Sequence, residues 1–335
     1  MAKQSAFKEV KKFSIYYKFN APYLLYRTKW NMAPRLKWVT KFPIHIDIES
    51  TNMCNLKCVM CPHGFENEEY QREFRKTLGI MNWDLYKDII DEGSKKGLKS
   101  IKLNWRGEPL MAKDFLLKAI KYARSKGILE ISINTNGLLL NKDFSRNLIN
   151  SGLDRIIFSV DGASKKTYEK IRRGGNFEKL IDNINIFLAI RNKLNMKRPY
   201  VRVQMVKMSE NLNEVDNFLD MWKDKVDSIT FQDYTNRGES AERLIEKSSY
   251  SGRFPCPQIW QRIVIAWDGN VIMCCRDWDS LNKLGKLDYS YGKDIGYFWK
   301  GPELTRIRDM HRKRELSKIE ACAKCAFKET FNWKI

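Results

Sequence analysis

Residues 42 to about 234 alternate between short β-rich runs and longer amphipathic stretches, and this alternation restricts the possible folds most. Repeated strand–helix units predict a parallel sheet with helical crossovers. Six units are expected, fewer than the eight of a closed β/α barrel. The predicted strands cover residues 44–49, 100–104, 129–133, 155–160, 200–206 and 227–231. The predicted helices cover residues 82–96, 113–126, 141–150, 164–172, 177–195 and 211–224.

Directly after the first predicted strand, three cysteines lie within eight positions, spaced C-x3-C-x2-C: Cys54, Cys58 and Cys61. Zinc sites usually take four ligands from paired Cys or Cys/His units, and no fourth thiol lies nearby. Three thiolates on a four-iron cluster would leave one iron able to bind another ligand. A zinc knuckle, or three reduced structural thiols, is the alternative interpretation.

Groups able to bind a ligand follow the next three predicted strands. Because the carboxyl ends of parallel strands share one edge of the sheet, we expect these groups to lie together there. The segments are Trp105-Arg106-Gly107-Glu108-Pro109, Thr135-Asn136-Gly137, and Ser159-Val160-Asp161-Gly162 followed by Tyr168 and Ile171-Arg172-Arg173-Gly174-Gly175.

Taken in order, these motifs resemble those of the radical S-adenosylmethionine (SAM) superfamily, which uses a partial, open barrel. The resemblance implies an α/β fold with a partial (β/α)6 TIM-like barrel over residues 42–245. It also implies a [4Fe-4S] cluster on the three cysteines, whose open iron chelates the amino and carboxylate groups of SAM. A flavodoxin- or ferredoxin-type protein is the expected electron donor.

The same resemblance assigns the SAM contacts residue by residue. One departure from the family's GGEP motif is Arg106, which replaces the first glycine. The implied contacts are the Met60 backbone to adenine, Gly107 and Glu108 to the methionine amino group, Asn136 and Asp161 within pocket motifs, Ser159 to the ribose and Arg172 to the SAM carboxylate.

The remaining five cysteines all follow residue 255. A strand pair at residues 263–267 and 271–275 is expected around the turn Asp268-Gly269-Asn270. Helices are expected from about 294, from Gly301-Pro302 and near 323–333. This third resembles the SPASM/twitch appendage of radical SAM enzymes, which implies a small domain over residues 246–335. The implied ligands of a second, auxiliary [4Fe-4S] cluster are Cys256, Cys274, Cys322 and Cys325. A structural zinc site on the same cysteines is the alternative.

Two residues are candidates for catalysis. Arg237 follows the sixth predicted strand, where a guanidinium would orient a hydroxyl, carboxylate or phosphate. Cys275 is the unpaired thiol and is a candidate hydrogen-atom donor. It also occupies the place of an acidic base in relatives that oxidise sulfatase side chains, so that base is not carried over. The histidines at 45, 63 and 311 match no paired metal motif and are expected to be incidental.

The net charge of +21 favours anionic partners, although basic residues spread over solvated helix faces would give the same value. Residues 1–41, basic and aromatic, are expected to form a helical extension packed on the barrel. No membrane span, export signal or nucleic-acid motif is recognised, so a cytoplasmic location is expected and nucleic-acid binding is not.

The resemblance implies reductive cleavage of SAM to a 5′-deoxyadenosyl radical that takes a hydrogen atom from a small-molecule substrate. A saturated auxiliary cluster would accept an electron, which favours dehydrogenation. The single-cluster pattern resembles that of twitch-type dehydrogenases, which implies a sugar or an aminocyclitol as substrate, and the basic charge suits a nucleotide-linked alcohol. The alternatives are peptide epimerisation or cross-linking, and a non-catalytic iron–sulfur or zinc protein that binds nucleic acid.

Overall fold

Every strand expected between residues 42 and 234 is present in the computed structural model, which describes residues 7–11, 21–234, 255–323 and 325. Each begins and ends within two residues of its predicted bounds. The strands are β1 Phe7–Lys11, β2 His45–Ile48, β3 Ser100–Lys102, β4 Glu130–Thr135, β5 Arg155–Ser159, β6 Tyr200–Lys207, β7 Ser228–Asp233, β8 Arg262–Ile265, β9 Asn270–Ile272 and β10 Lys283–Lys286.

The crossover helices follow the strands as predicted, and several start at Asn or Ser side chains that accept backbone N–H groups, which favours a helix start there. These caps are Asn82, Asn141, Ser164 and Asn176. The helices are α1 Ala21–Arg35, α2 Glu68–Lys76, α3 Trp83–Lys96, α4 Lys113–Ser125, α5 Lys142–Asn150, α6 Lys165–Ile171, α7 Phe177–Lys193, α8 Val215–Trp222, α9 Gln258–Gln261, α10 Ile295–Lys300, α11 Pro302–Arg312 and α12 Glu320–Ala323.

All ten strands join one sheet in the order β1-β7-β6-β5-β4-β3-β2-β8-β9-β10. The strands from β2 to β7 are parallel to one another, and β8 extends this parallel set beside β2. In the described residues β7 pairs with β1 and not with β8, so the sheet stays open. This topology confirms the predicted partial barrel.

The strands of this barrel present two chemically different faces. Alternate residues such as Ile46, Ile131 and Val203 enter one apolar core with the crossover helices. The other face, which we call the inner face, carries polar residues on strand after strand, including Asp47, Lys102 and Ser132 on β2, β3 and β4. Parallel strands covered on both sides are usually apolar throughout, so this alternation marks a polar interior.

The segment before the barrel is only partly helical. The backbone of β1 pairs antiparallel with the outer edge of β7, so the helical prediction is wrong for residues 7–11. An exposed strand edge offers unpaired backbone groups, which such a short run can fill whatever its local helix propensity. Helix α1 does pack on the barrel: the Trp30 ring meets His45 edge-on at 5.8 Å, and the Trp30 carbonyl accepts from Gln261 Nε2 at 2.8 Å.

The C-terminal third continues the same sheet through the hairpin of β8 and β9, which confirms the predicted turn at 268–270. The helices expected from about 294 and from 302 are α10 and α11. The described residues also include the short helix α12, and the helix predicted near 323–333 lies outside the described residues apart from Ala323 and Cys325. Among the residues described, we find no helix with the length and apolar character that a membrane crossing requires.

Candidate active site and cysteine clusters

The loop that carries the first three cysteines is tied to the end of helix α6 by its backbone. The N–H of Lys57 donates to the Arg173 carbonyl at 2.9 Å, and that of Val59 to the Ile171 carbonyl at 3.0 Å. Cys58 is buried, whereas Cys54 and Cys61 are half-buried. Burial raises the pKa of the Cys54 thiol to about 12, with the nearby Glu108 carboxylate adding to the effect.

Glu108 lies beside this loop, and its carboxylate is held by three donors. Its Oε1 accepts from the Thr135 hydroxyl at 2.7 Å and from the Leu110 N–H at 3.1 Å, and its Oε2 accepts from the Asn136 N–H at 2.7 Å. The side chain is fully buried, and burial raises its pKa above the usual range of a glutamate. The carboxylate is therefore fixed in one orientation at the carboxyl ends of β3 and β4.

The two residues before Glu108 explain how this turn is built. At Gly107 a Cβ atom would lie 2.4 Å from the Thr51 carbonyl oxygen, so only glycine permits the close approach. The Arg106 guanidinium pairs with the buried Glu49 through contacts of 2.9 and 3.0 Å, and also donates to the Trp278 carbonyl at 3.3 Å. The arginine that replaces the first glycine of the motif therefore links the turn to Trp278 in the C-terminal third.

Arg172 is also placed beside the first cysteine loop. Its guanidinium lies 2.6 Å from the Asp161 carboxylate and 3.8 Å from the Cys58 sulfur. Burial opposes the charge, but the Asp161 carboxylate and the Cys58 thiol raise the pKa of Arg172 above its usual range. The Asp161 carboxylate in turn accepts from the Val206 N–H at 2.7 Å, which anchors the pair to β6.

The other predicted SAM contacts lie around the same edge. Met60 is buried within the cysteine loop, and Ser159 is the last residue of β5, opposite Gln204 on β6. The Asn136 side chain donates to the Asn55 side chain at 2.8 Å, joining the end of β4 to the cysteine loop. The contacts of these residues with SAM stay predictions.

A second set of cysteines meets in the C-terminal third. Four of them line a single pocket together with apolar side chains, His311, Arg276 and Asp277. They are Cys256, Cys274, Cys322 and Cys325. Burial raises the pKa of the Cys256 thiol, and the neighbouring cysteines Cys325 and Cys322 add to the effect.

Cys275 is not in the lining of that pocket. It packs with Cys61 on a small apolar cluster of Trp105, Val264, Ala266, Ile272 and Trp278. Its carbonyl accepts from the Trp105 indole N–H at 2.9 Å. Cys275 therefore lies on the side of the hairpin that faces the first cysteine loop. The other catalytic candidate, Arg237, lies outside the described residues.

A buried group of charges on the inner face was missed in the sequence. Asp47 is 0% exposed and pairs with Lys102 at 2.9 Å and with Arg262 at 3.2 Å, two cations that are 20% and 17% exposed. Burial opposes ionisation of Asp47, but these two cations hold its pKa well below the usual range. The strand pattern His-Ile-Asp-Ile-Glu at 45–49 carries the signal, because polar residues alternate with apolar ones.

The expectation that all three histidines are incidental is wrong for His311. Its ring is buried beside Trp260 and contacts two segments that carry cysteines of the pocket. Sequence motifs could not reveal this, because His311 lies 55 residues from Cys256 and eleven from Cys322.

In the described part of the chain, no group of three His, Cys, Asp or Glu side chains converges so as to hold a single metal ion. A cubane cluster makes a different demand, because each cysteine binds a different iron atom. Cysteines set around a pocket satisfy that demand without converging on one point.

Sequence profiles of two families match this chain. The Radical SAM superfamily matches residues 48–222, just over half of the chain, and the SPASM iron–sulfur cluster-binding domain matches residues 256–326. The chain belongs to the radical SAM superfamily.

Curated relatives that match this chain include GTP 3′,8-cyclases. The GTP 3′,8-cyclase of Lactiplantibacillus plantarum is 30% identical over 196 residues, covering 58% of this chain and 55% of the relative. A probable GTP 3′,8-cyclase of Methanococcus maripaludis is 31% identical over 170 residues, covering 51% of this chain and 52% of the relative. The match thus spans a little over half the length of these cyclases.

Solved radical SAM structures share the fold at low sequence identity. BtrN in complex with AdoMet and 2-DOIA gives a TM-score of 0.55 at 18% identity over 84% of this chain and 92% of BtrN. Native anSMEcpe with bound AdoMet gives a TM-score of 0.61 at 15% identity, over 83% of this chain and 89% of anSMEcpe. Streptococcus suis SuiB bound to S-adenosylmethionine gives a TM-score of 0.55 at 16% identity, over 86% of this chain and 73% of SuiB.

Superfamily membership implies a [4Fe-4S] cluster that binds SAM, and the SPASM domain implies auxiliary cluster binding. The residues present fit both groups. Three thiols lie in one backbone-anchored loop beside the Arg172 guanidinium, which offsets thiolate charge. Four more thiols line one pocket. Because burial raises the pKa of the Cys54 and Cys256 thiols, cluster binding at these two cysteines must release protons.

Proposed function

We propose that this radical SAM enzyme dehydrogenates a small alcohol that carries an anionic group, such as a phosphorylated or nucleotide-linked sugar or an aminocyclitol derivative. Its barrel would cover residues 42–245 and its auxiliary domain residues 246–335. The observation that carries the proposal is the convergence of four cysteines on one pocket. Four protein ligands saturate a four-iron cluster, which suits it to accept an electron rather than to bind substrate.

Each group of residues has a role in this proposal. Cys54, Cys58 and Cys61 would hold the SAM-binding cluster, and Cys256, Cys274, Cys322 and Cys325 the auxiliary cluster. When bound, the first cluster and SAM supply the 5′-deoxyadenosyl radical, and the second cluster supplies an electron acceptor. Glu108, with its fixed carboxylate, would receive the methionine ammonium group of SAM.

The proposed reaction balances without a further oxidant. One electron enters when the SAM carbon–sulfur bond breaks, and one electron leaves when the substrate radical becomes a ketone. The alcohol loses one hydrogen atom to the deoxyadenosyl radical and one proton to the surroundings. The net change converts SAM and the alcohol into methionine, 5′-deoxyadenosine, the ketone and one proton.

The charges on the inner face support an anionic substrate. Lys102 and Arg262 share the single carboxylate of Asp47, so the group carries net positive charge inside the barrel. Both cations keep part of their surface exposed, and a phosphate or carboxylate would complete their coordination. The similarity to GTP 3′,8-cyclases, whose name specifies a nucleotide, supports the same class of substrate.

The first experiment measures iron, sulfide and zinc after anaerobic reconstitution, and then product formation from a panel of alcohols. We expect about eight irons per chain, and ketone formation matching 5′-deoxyadenosine one to one. Phosphorylated alcohols should stimulate SAM cleavage more than their dephosphorylated parents. Four irons with one zinc, or cleavage without any oxidised product, would refute the dehydrogenase proposal.

The Lys102→Met variant tests the anionic class of substrate. We expect KM for the phosphorylated alcohol to rise about 10-fold, because a charged hydrogen bond contributes about 1.5–3 kcal/mol. The affinity for SAM should not change. Lys121→Met removes an equal charge from the exposed face of α4 and is the matched control. Equal KM values for both variants would contradict the assignment.

A second candidate function is redox-neutral chemistry, such as peptide epimerisation. The position of Cys275 favours it, because this thiol packs against the same apolar cluster as Cys61 and does not line the auxiliary pocket. The thiol would give a hydrogen atom to the substrate radical, and an external one-electron donor with one proton would restore it. Cys275→Ala should then abolish product inversion but preserve SAM cleavage. Unchanged product and stereochemistry would exclude the donor role.

A further inference from the structure

His311 lies between two of the segments that supply cysteines to the C-terminal pocket. It stands in the last turn of α11, is 0% exposed, and packs edge-on against Trp260 at 6.0 Å. Its Nδ1 lies 3.2 Å from the backbone nitrogen of Cys256, and its Nε2 lies 3.5 Å from the sulfur of Cys322. The two ring nitrogens thus contact two different segments that carry cysteines.

The first contact determines the tautomer of the ring. A backbone N–H can only donate, so Nδ1 must accept from Cys256 and carries no proton. A neutral imidazole without a proton on Nδ1 carries it on Nε2. The N–H group of His311 is therefore directed at the Cys322 sulfur, within the range of a hydrogen bond to sulfur.

We propose that His311 is a positioning residue that donates an N–H···S hydrogen bond to Cys322 and raises the reduction potential of the auxiliary cluster. The inference rests on the proposed ligand role of Cys322. Hydrogen bonds to ligand sulfurs are among the factors that tune cluster potentials. Such a bond stabilises the reduced, more negative state more strongly, because the sulfur then carries more charge.

This role follows the general logic of residues that contact metal ligands. A partner behind the ligand fixes its orientation and adjusts the electronic properties of the metal centre. Here the same ring also holds the Cys256 backbone, which links two ligand segments that are far apart in sequence. A higher potential makes the cluster a better acceptor for the electron that leaves the substrate radical.

Two substitutions separate the two contacts of the ring. An asparagine places its amide near the position of Nδ1 and can still accept from Cys256, but it does not reach the Cys322 sulfur. A glutamine extends to the position of Nε2 and can donate to the sulfur. His311→Asn thus removes the N–H···S bond, and His311→Gln is the conservative variant expected to restore it.

The potentials are measured in a background where Cys54, Cys58 and Cys61 are alanine, so that only the auxiliary cluster contributes. A redox titration followed by electron paramagnetic resonance gives the midpoint potential. We expect His311→Asn to shift the midpoint to a more negative value, with His311→Gln close to the parent. Equal midpoints in all three proteins would overturn the proposal and leave His311 a packing residue.

A second measurement keeps His311 intact, so that it remains possible even if the His311 variants do not bind the cluster. The chain has only three histidines, so labelling with ¹⁵N-histidine is selective. In the same alanine background, pulsed electron paramagnetic resonance should detect one histidine nitrogen coupled to the reduced auxiliary cluster. Absence of that coupling would also overturn the proposal.

The proposed ligand set is tested separately by Cys322→Ala with Cys325→Ala. If this double variant keeps its full iron content, the ligand assignment fails before the role of His311 is considered. If its iron content falls by about half and the histidine coupling is nevertheless missing in the parent, only the His311 inference fails.

Discussion

The two cysteine regions differ in what surrounds their thiols. The loop with Cys54, Cys58 and Cys61 lies among charged groups: a guanidinium approaches one thiol, and the fixed Glu108 carboxylate stands nearby. The C-terminal pocket instead combines its four thiols with four apolar side chains, the His311 ring, and the side chains of Arg276 and Asp277.

This difference suits two distinct tasks. A three-cysteine site leaves room for a ligand, and the polar groups around it can bind the charged ends of SAM. A four-cysteine site is complete, and N–H groups that contact its sulfurs, from His311 and from the Arg276 backbone, tune electron transfer. Each prediction below separates the two regions or tests the contacts that connect them.

The largest effect is expected from removing ligands in either region. Cys58→Ala should abolish SAM cleavage, because the cluster that binds SAM loses a thiolate. Cys322→Ala with Cys325→Ala should preserve SAM cleavage but abolish oxidised product, because the proposed electron acceptor is lost. Iron content and chromatographic detection of 5′-deoxyadenosine check both results. If both variants abolish cleavage equally, the two regions do not have separate tasks.

A large effect on stability is expected at the ion pair of Arg106 with Glu49 in the barrel, whose guanidinium also donates to the Trp278 carbonyl in the C-terminal third. Arg106→Gly restores the usual family residue but leaves the buried Glu49 carboxylate without its guanidinium. Breaking a buried pair in this way costs about 3–5 kcal/mol of unfolding free energy. Thermal or denaturant unfolding measures it. Adding Glu49→Gln should recover part of the loss, and no recovery would show that the pair is not the cause.

A moderate effect on SAM affinity is expected at Glu108. Glu108→Gln removes the charge that would bind the SAM ammonium, so we expect affinity to fall about 10- to 100-fold, in line with a charged hydrogen bond. Titration of the reduced cluster with SAM measures it. The control is Glu92→Gln, a buried carboxylate that also holds several donors but lies at α3 and α10. Comparable losses of SAM affinity would contradict the assignment.

The smallest effect is expected at the contact between the regions. Trp105→Phe removes the indole N–H that donates to the Cys275 carbonyl, a loss of about 1 kcal/mol. Denaturant unfolding detects it, together with slower product formation at unchanged SAM binding. Trp267→Phe is the matched control, because its indole bond to the Thr77 carbonyl is exposed. Equal effects on product formation would remove any special role of Trp105 in connecting the regions.

The sequence by itself determined the partial barrel, and its motifs identified the superfamily. Alternation of short apolar runs with amphipathic stretches was sufficient for β2 to β7, because burial of one face dictates the period of each element. The short C-x3-C-x2-C spacing identified the first candidate cluster site, whereas the second set, spread over residues 256–325, followed from the resemblance to the SPASM/twitch appendage. Gly107 was predicted from the resemblance to the GGEP motif, but its close approach to the Thr51 carbonyl, 56 residues away, is visible only in the tertiary structure.

Only the tertiary structure decided which distant residues meet. The Asp47 charge group draws on β2, β3 and β8, and His311 reaches two segments that no short motif joins. The strand Phe7–Lys11 depends on the open edge of β7, which its own five residues cannot specify. These contacts depend on strand register and helix packing, so their physical cause lies in the assembled sheet and not in any local pattern of residues.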